Sequence, residues 1–349
     1  MAPKVSILMP VRNAMPYLTE CIDSIIAQDL SDWELIAIDD NSTDNSGATL
    51  LEYSQIDDRV RTIKNPDSGI ISALRLAHSL SQGQMITRMD ADDIMLPERL
   101  TIMTASLENH GQGHVAVGQV EYFRAGGILG GYARYAVWLN QLIATGTCFR
   151  EIFRECVIPS PCWMLHRADL ESCGAFRPNV YPEDYDLCFR MDLAGLLQIP
   201  CDTVLHRWRD HTGRASRNDD HYKDEKFLDI KCHYYWHHYR QDDRPTILFG
   251  AGKKAKAIAR DAVARGKHFI WLTDNVKKIG KTIYGVTLED TQDYLQPQSD
   301  DTVSDPVERR CASDYQWILA VSSPTDQARI ISALETYGSE VRKDWDLFF

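Results

Sequence analysis

Nowhere does the sequence run in apolar residues for the ~18 positions that a membrane-spanning helix needs. The amino terminus, Met1 to Pro10, is also too short an apolar run for a signal peptide, so the chain reads as cytoplasmic, with any membrane association peripheral. Cysteine pairs are missing too. The nine cysteines are an odd number, scattered from Cys21 to Cys311 with no CxxC, which argues against a disulfide framework or zinc ribbon and for reduced, buried thiols. Cys232, His233 and His237 fall on one predicted helix, either as a metal site or as part of an aromatic packing helix. Positive charge is scarce: 38 Lys and Arg stand against 50 Asp and Glu, a net charge of -12. That balance disfavours a protein that gains affinity by neutralising many nucleic-acid phosphates, and tRNA alone stays open as a partner. What is present is ordinary globular composition, 44% hydrophobic and 25% charged, over 349 residues, enough for two domains.

Val5 to Met9 and Leu35 to Ile38 are short apolar runs ended by Pro10 and by Asp39-Asp40-Asn41-Ser42, as buried parallel strands are. Leu18, Cys21, Ile22, Ile25 and Ile26 lie between them at helical spacing. The unit repeats with Val60 to Lys64, a helix near Ile71 to Ser81, and Met85 to Met89 before Asp90. Such alternation predicts an α/β fold with a doubly wound, mostly parallel sheet and ligands at the carboxyl ends of its strands. From about 115 to 165 it loosens, and loops and helices laid over the sheet edge are expected. Residues 1–217 read as one domain, 218–244 as a helical connector, and 245–349, opening with Pro245 to Phe249, as a second domain.

Asp90-Ala91-Asp92-Asp93 directly follows a strand, where converging carboxylates repel one another unless a cation is present. Oxygen ligands of this kind suit Mn2+ or Mg2+ shared with a diphosphate, although a solvated acidic turn gives the same tetrapeptide. Its company is more specific. Ser6 to Asn13, Ser24 to Gln28, Ile38 to Asp44, Arg88 to Asp93 with Pro97, Arg99 and Leu100, and Glu183-Asp184-Tyr-Asp-Leu187 occur in this order. Through these blocks residues 4 to about 217 resemble a family 2 glycosyltransferase of the GT-A fold.

The resemblance implies inverting, metal-dependent transfer of galactose, glucose or N-acetylglucosamine from a UDP-sugar to a hydroxyl of a saccharide or other glycan. Pro10, Val11, Arg12 and Asn13 would then line the uridine pocket and Asp40 would hold the uracil or ribose, with Asn65 and Gly69 in the same nucleotide-sugar set. Arg88, Asp90 and Ala91 would face the ribose or sugar, and Asp92, with Asp90, the metal. Asp184 would be the catalytic base, with Glu183 next in line, though an acid pair at a helix amino terminus also suits the dipole. His206 to Arg217 resembles the family's segment that closes over the diphosphate. There His211 would be a metal ligand or phosphate donor, and Arg209 and Arg214 would bind phosphate oxygens. One departure is Arg75, near which related sequences usually carry Asn. Trp163 is a candidate for stacking on a sugar face or for the core, and Tyr132, Tyr135 and Trp138 are weaker acceptor candidates.

Gly250-Ala251-Gly252-Lys253-Lys254-Ala255 follows a strand and opens a helix, and Asp274 ends the next strand about twenty residues on, the arrangement of a dinucleotide-binding unit. Only half of a Rossmann domain fits the remaining length, and the lysines would meet a bare phosphate as readily as a cofactor. A Rossmann-like docking or regulatory domain is therefore preferred over a nucleotide sensor or an NAD-dependent oxidoreductase. The whole length also resembles the tRNA-queuosine galactosyltransferase-like proteins, which share a Gly-Ala-Gly-Lys-like tail. A sugar-1-phosphate nucleotidylyltransferase would want a Gly-rich, basic loop near the amino terminus, which Pro10 to Met15 lacks.

Overall fold

The computed structural model describes residues 2–124, 126–127, 130–240, 243–295, 312–336 and 339–348. The chain forms two compact units, one of Met1–Phe149 with Cys156–Lys223 and one of Arg150–Glu155 with Asp224–Phe349.

The first unit holds β1 (Val5–Val11), β2 (Trp33–Asp39), β3 (Val60–Lys64), β4 (Met85–Arg88), β5 (Ile94–Met95), β6 (His114–Phe123), β7 (Trp163–His166) and β8 (Leu197–Arg209). They make one sheet of order β3-β2-β1-β4-β7-β6-β8-β5. β1 to β4 are parallel, β7 is antiparallel to β4 and β6, β8 is parallel to β6, and β5 is antiparallel to β8. Helices Leu18–Ile26, Ser46–Ile56 and Ile70–Leu80 make the crossovers, the first burying Leu18, Cys21, Ile22 and Ile25. With both sheet faces covered, β1 is buried at every residue but Pro10, which is why it reads as an apolar run broken only by Ser6, whose hydroxyl donates to Glu34 at 2.6 Å. The doubly wound α/β sheet is thus present, and its strand order reverses between β1 and β4, opening a crevice at their carboxyl ends.

The 115–165 region departs from the expectation of loops and helices alone, because β6 and β7 run through the sheet there. Polar residues obscure β6 in the sequence. Its Gly118 is required by packing, since a Cβ would stand 2.9 Å from both Cys162 Sγ and Leu205 Cδ1.

The second unit holds β9 (Thr246–Phe249), β10 (Ile270–Thr273), β11 (Thr282–Ile283), β12 (Val286–Asp290), β13 (Gln316–Leu319) and β14 (Trp345–Leu347), in the order β11-β12-β10-β9-β13-β14. All neighbours are parallel except the β11-β12 hairpin, so this smaller sheet is Rossmann-like. Ile247, Phe249, Leu272, Trp317, Leu319 and Leu334 form its core. Residues 150–155 are tied in by Lys231, fully buried, whose Nζ donates to the Arg154 carbonyl at 2.8 Å. Cys232 is buried whereas His233 and His237 are exposed, so these three do not converge on a cation. Among the described residues no helix is long and apolar enough to cross a membrane.

Candidate functional site

The loops after β1 and β2 are stitched together by backbone amides meeting short polar side chains. Asn13, at φ 50, accepts from the Thr43 amide at 2.7 Å, while Ser42 Oγ, Ser46 Oγ and Asp44 Oδ2 accept from the amides of Asn13, Ala14 and Met15 at 3.1, 2.9 and 3.1 Å. Asp40 is buried below them. Its Oδ1 accepts from Asn65 Nδ2 at 2.7 Å, and both its oxygens lie 2.9 Å from the Gly69 amide. Gly69 holds φ +100, which favours glycine. Arg12, with its side chain 62% exposed, stands 3.7 Å from Asp40 Oδ2. Pro10 and Val11 end β1 beside this network. The expected nucleotide-pocket residues therefore meet at one sheet edge, with Asp40 and Asn65 as its buried joints.

Arg88, at the end of β4, is the hub of the other half. It is buried, and it donates Nε to Asp90 Oδ1 and an NH group to Glu183 Oε1, both at 2.9 Å. The Tyr222 hydroxyl donates to Glu183 Oε2 at 2.7 Å, so both oxygens of Glu183 are engaged. The adjacent Asp184 lies in the first turn of helix Glu183–Leu193 and accepts from the Tyr185 amide at 2.8 Å. Burial, then the neighbouring Glu183 charge, push its carboxyl up to about 7 despite the pull of Arg88. Burial also raises the Asp90 carboxyl; Arg88 opposes this and Asp92 adds to it.

Asp92 and Asp93 point opposite ways. Asp93, 1% exposed, accepts from the Arg209 amide at 2.7 Å and from His206 Nε2 at 2.9 Å. His206 Nδ1 accepts from Arg99 at 3.1 Å, and the same guanidinium donates to Thr87 Oγ1 at 2.8 Å and the Arg88 carbonyl at 3.0 Å. Burial lowers His206 well below its ordinary value and keeps it neutral. Asp92 keeps 26% side-chain exposure, and its Oδ2 meets His211 Nε2 at 2.7 Å. The Gly213 amide donates to His211 Nδ1 at 3.2 Å.

The two arginines expected on phosphate differ. Arg209 donates Nε to the Asp92 carbonyl at 2.6 Å, pairs with Glu20, and lies over the Tyr17 and Phe123 rings at 4.6 and 4.4 Å. Arg214 lies 5.2 Å from the Trp208 ring centroid, and one of its terminal nitrogens is buried without a hydrogen-bond partner. Trp163 is 3% exposed within β7, so its ring is covered by the core. Tyr132 lies 5.3 Å from Tyr122, and Tyr135 donates to the Cys156 carbonyl at 2.8 Å. Sequence reasoning missed Tyr222 and the buried Arg99–His206–Asp93 chain. No motif marks Tyr222, and an arginine ordinarily reads as surface.

Among the described residues no three His, Cys, Asp or Glu side chains form a metal cage. Asp92 and His211 are two adjacent donors beside the Asp90 carboxylate, a set that fits a divalent cation whose remaining ligands are diphosphate and water.

A doubly wound sheet with an acidic loop and an acid-bearing helix at its switch point is the architecture of a GT-A transferase. Residues 6–174 match the family model described as Glycosyl transferase family 2. An uncharacterized glycosyltransferase of Haemophilus influenzae is 29% identical over 236 residues, 66% of this chain and 72% of that protein. The putative glycosyltransferase EpsE of Bacillus subtilis is 35% identical over 150 residues, covering 42% of this chain and 54% of its own length. The crystal structure of S. aureus TarS 1-349 in complex with UDP-GlcNAc superposes with a TM-score of 0.51 at 15% identity, covering 75% of this chain and 72% of that one. Residues 6–174 are therefore a family 2 glycosyltransferase domain.

Proposed function

We propose that this chain transfers a sugar from a UDP-sugar to a hydroxyl of a glycan, inverting the anomeric carbon, with Mn2+ or Mg2+ held at Asp92 and His211. The observation that carries the reading is the Arg88 bridge, which draws the acidic loop after β4 and the Glu183-Asp184 pair into one site. Glu183 is saturated and positions Arg88. Asp184, with its carboxyl near 7, is matched to general-base work at neutral pH. It takes the acceptor hydroxyl's proton as that oxygen bonds to the anomeric carbon, and the bond to the diphosphate breaks on the opposite face, the electron pair leaving with UDP. The buried, unpartnered nitrogen of Arg214 donates to a phosphate oxygen. Asp40 and residues 10–13 take the nucleoside. A bound cation supplies charge neutralisation on the departing diphosphate. The UDP-GlcNAc in the TarS structure, which shares the fold, supports a donor of this class.

The test is a UDP-release screen of UDP-galactose, UDP-glucose and UDP-N-acetylglucosamine with oligosaccharide acceptors, in Mn2+, Mg2+ or EDTA. Acceptor-dependent release abolished by EDTA is expected. Equal release in EDTA removes the cation from the reading, and no release from any UDP-sugar removes the donor class.

A further inference from the structure

Charge is spread unevenly along this chain. Residues 253–284, all in the second unit, carry nine Lys and Arg against two Asp, although the whole chain has a net charge of -12. Both acids are taken, Asp261 by Arg265 and Asp274 by Arg329. Lys253, Lys256, Arg260, Lys267, Lys277 and Lys281 have no carboxylate partner among the described residues, and none of the six is buried. Helix Lys253–Ala264 buries Ala255, Ile258, Ala259 and Ala262, so Lys253, Lys256, Arg260 and Val263, at steps of three and four, line its outer side. Lys278 Nζ donates to the Ala251 carbonyl at 2.6 Å, which seats the loop after β10 against the start of that helix and joins its cations to Lys253.

Apolar side chains stand exposed among these charges. Val276 is 81% exposed, in a turn that Asn275 closes by accepting from the Lys277 amide at 3.1 Å. Tyr284 is 46% exposed at φ 55 in the two-residue β11-β12 turn, a position that Asn fills with less strain. Neither burial nor backbone therefore calls for Tyr at 284. A nucleic-acid backbone would meet the cations and leave Val263 and Val276 in water. A bilayer takes both kinds of group, cations on its phosphates and apolar or amphipathic tips between its headgroups.

We propose that residues 253–284 form a docking surface for an anionic lipid bilayer, with the unpaired cations on lipid phosphates and Val276 and Tyr284 at headgroup level. The surface lies in the second unit and does not depend on the donor or acceptor of the transferase reaction.

Co-sedimentation of the full chain with phosphatidylcholine vesicles containing about one third phosphatidylglycerol, against pure phosphatidylcholine, tests this. Binding to the anionic vesicles alone is expected, and it should be lost at about 1 M salt, where the Debye length falls to about 3 Å. Each cation near such a surface is worth about 5-fold, so Lys253→Gln with Lys277→Gln should weaken binding roughly 25-fold. Val276→Ser with Tyr284→Asn keeps the charge and should weaken it about 10-fold. All four side chains are exposed, and thermal melts check that the variants fold. No binding to anionic vesicles by the folded chain, or unchanged binding in the lysine variant, would overturn the proposal. Unchanged vesicle binding in the Val276–Tyr284 variant, or single-stranded RNA bound more tightly than the vesicles, would reassign the surface to a soluble polyanion.

Discussion

Replacing Asp184 by Asn keeps the shape and the acceptor for the Tyr185 amide but removes the titrating carboxyl. The folded chain holds the Asp184 proton up to about pH 7, against an ordinary carboxyl value of 3.8. The proton-linked stability is therefore complete below about pH 4 and lost as pH rises through 7. Three units at about 1.4 kcal/mol each set a ceiling of about 4 kcal/mol; coupling to Glu183 and a partly open carboxylate edge reduce this to about 2 kcal/mol. At pH 8 wild type carries that cost and Asp184→Asn does not. In metal-free, donor-free thermal melts the variant should match wild type near pH 4 and exceed it at pH 8 by about 4–8 °C for a unit of this size. Acceptor transfer should fall by at least ~10²-fold with UDP affinity little changed, and wild-type kcat should rise with pH through about 7. A variant that transfers normally, or that is equally destabilised at both pH values, refutes the assignment and leaves Asp184 a structural acid.

Arg88→Met strands a buried Glu183 carboxylate, so the chain should lose about 3–5 kcal/mol in urea unfolding, and Glu183→Gln in the same background should recover part of it. Arg214→Gln should weaken UDP binding about 10-fold in calorimetry and also lower the melting temperature, since it loses the Tyr122 and Trp208 contacts, whereas Arg209→Gln should lower the melting temperature with a smaller effect on UDP, because it loses the Asp92 carbonyl and Glu20 together. Asp92→Ala should abolish the difference between UDP affinity in Mn2+ and in EDTA; a persisting difference would place the cation elsewhere.

What the sequence by itself determined was the parallel sheet and which residues stand at the carboxyl ends of its strands, where the proposed site lies. Buried parallel strands show as mostly apolar runs, and the residues after each run fall at a strand's carboxyl end, so Asp40 and Asp90 to Asp93 were placed there by pattern alone. Division of labour among those residues was decided only in three dimensions. Nothing local distinguishes Asp92 from Asp93, yet His206, 113 positions away from Asp93, draws it inward and leaves Asp92 facing out beside His211. Glu183 and Asp184 are neighbours on one helix, and it is Arg88, 95 positions earlier, together with Tyr222 that saturates Glu183 and leaves Asp184 with its raised carboxyl. Arg209 and Arg214 look equally suited to phosphate until Glu20 and the Asp92 backbone claim the first. Periodicity records which face of an element is buried. The partner of a buried charge is chosen by chain crossings about a hundred residues apart, and side-chain pairing at that range leaves no periodic trace.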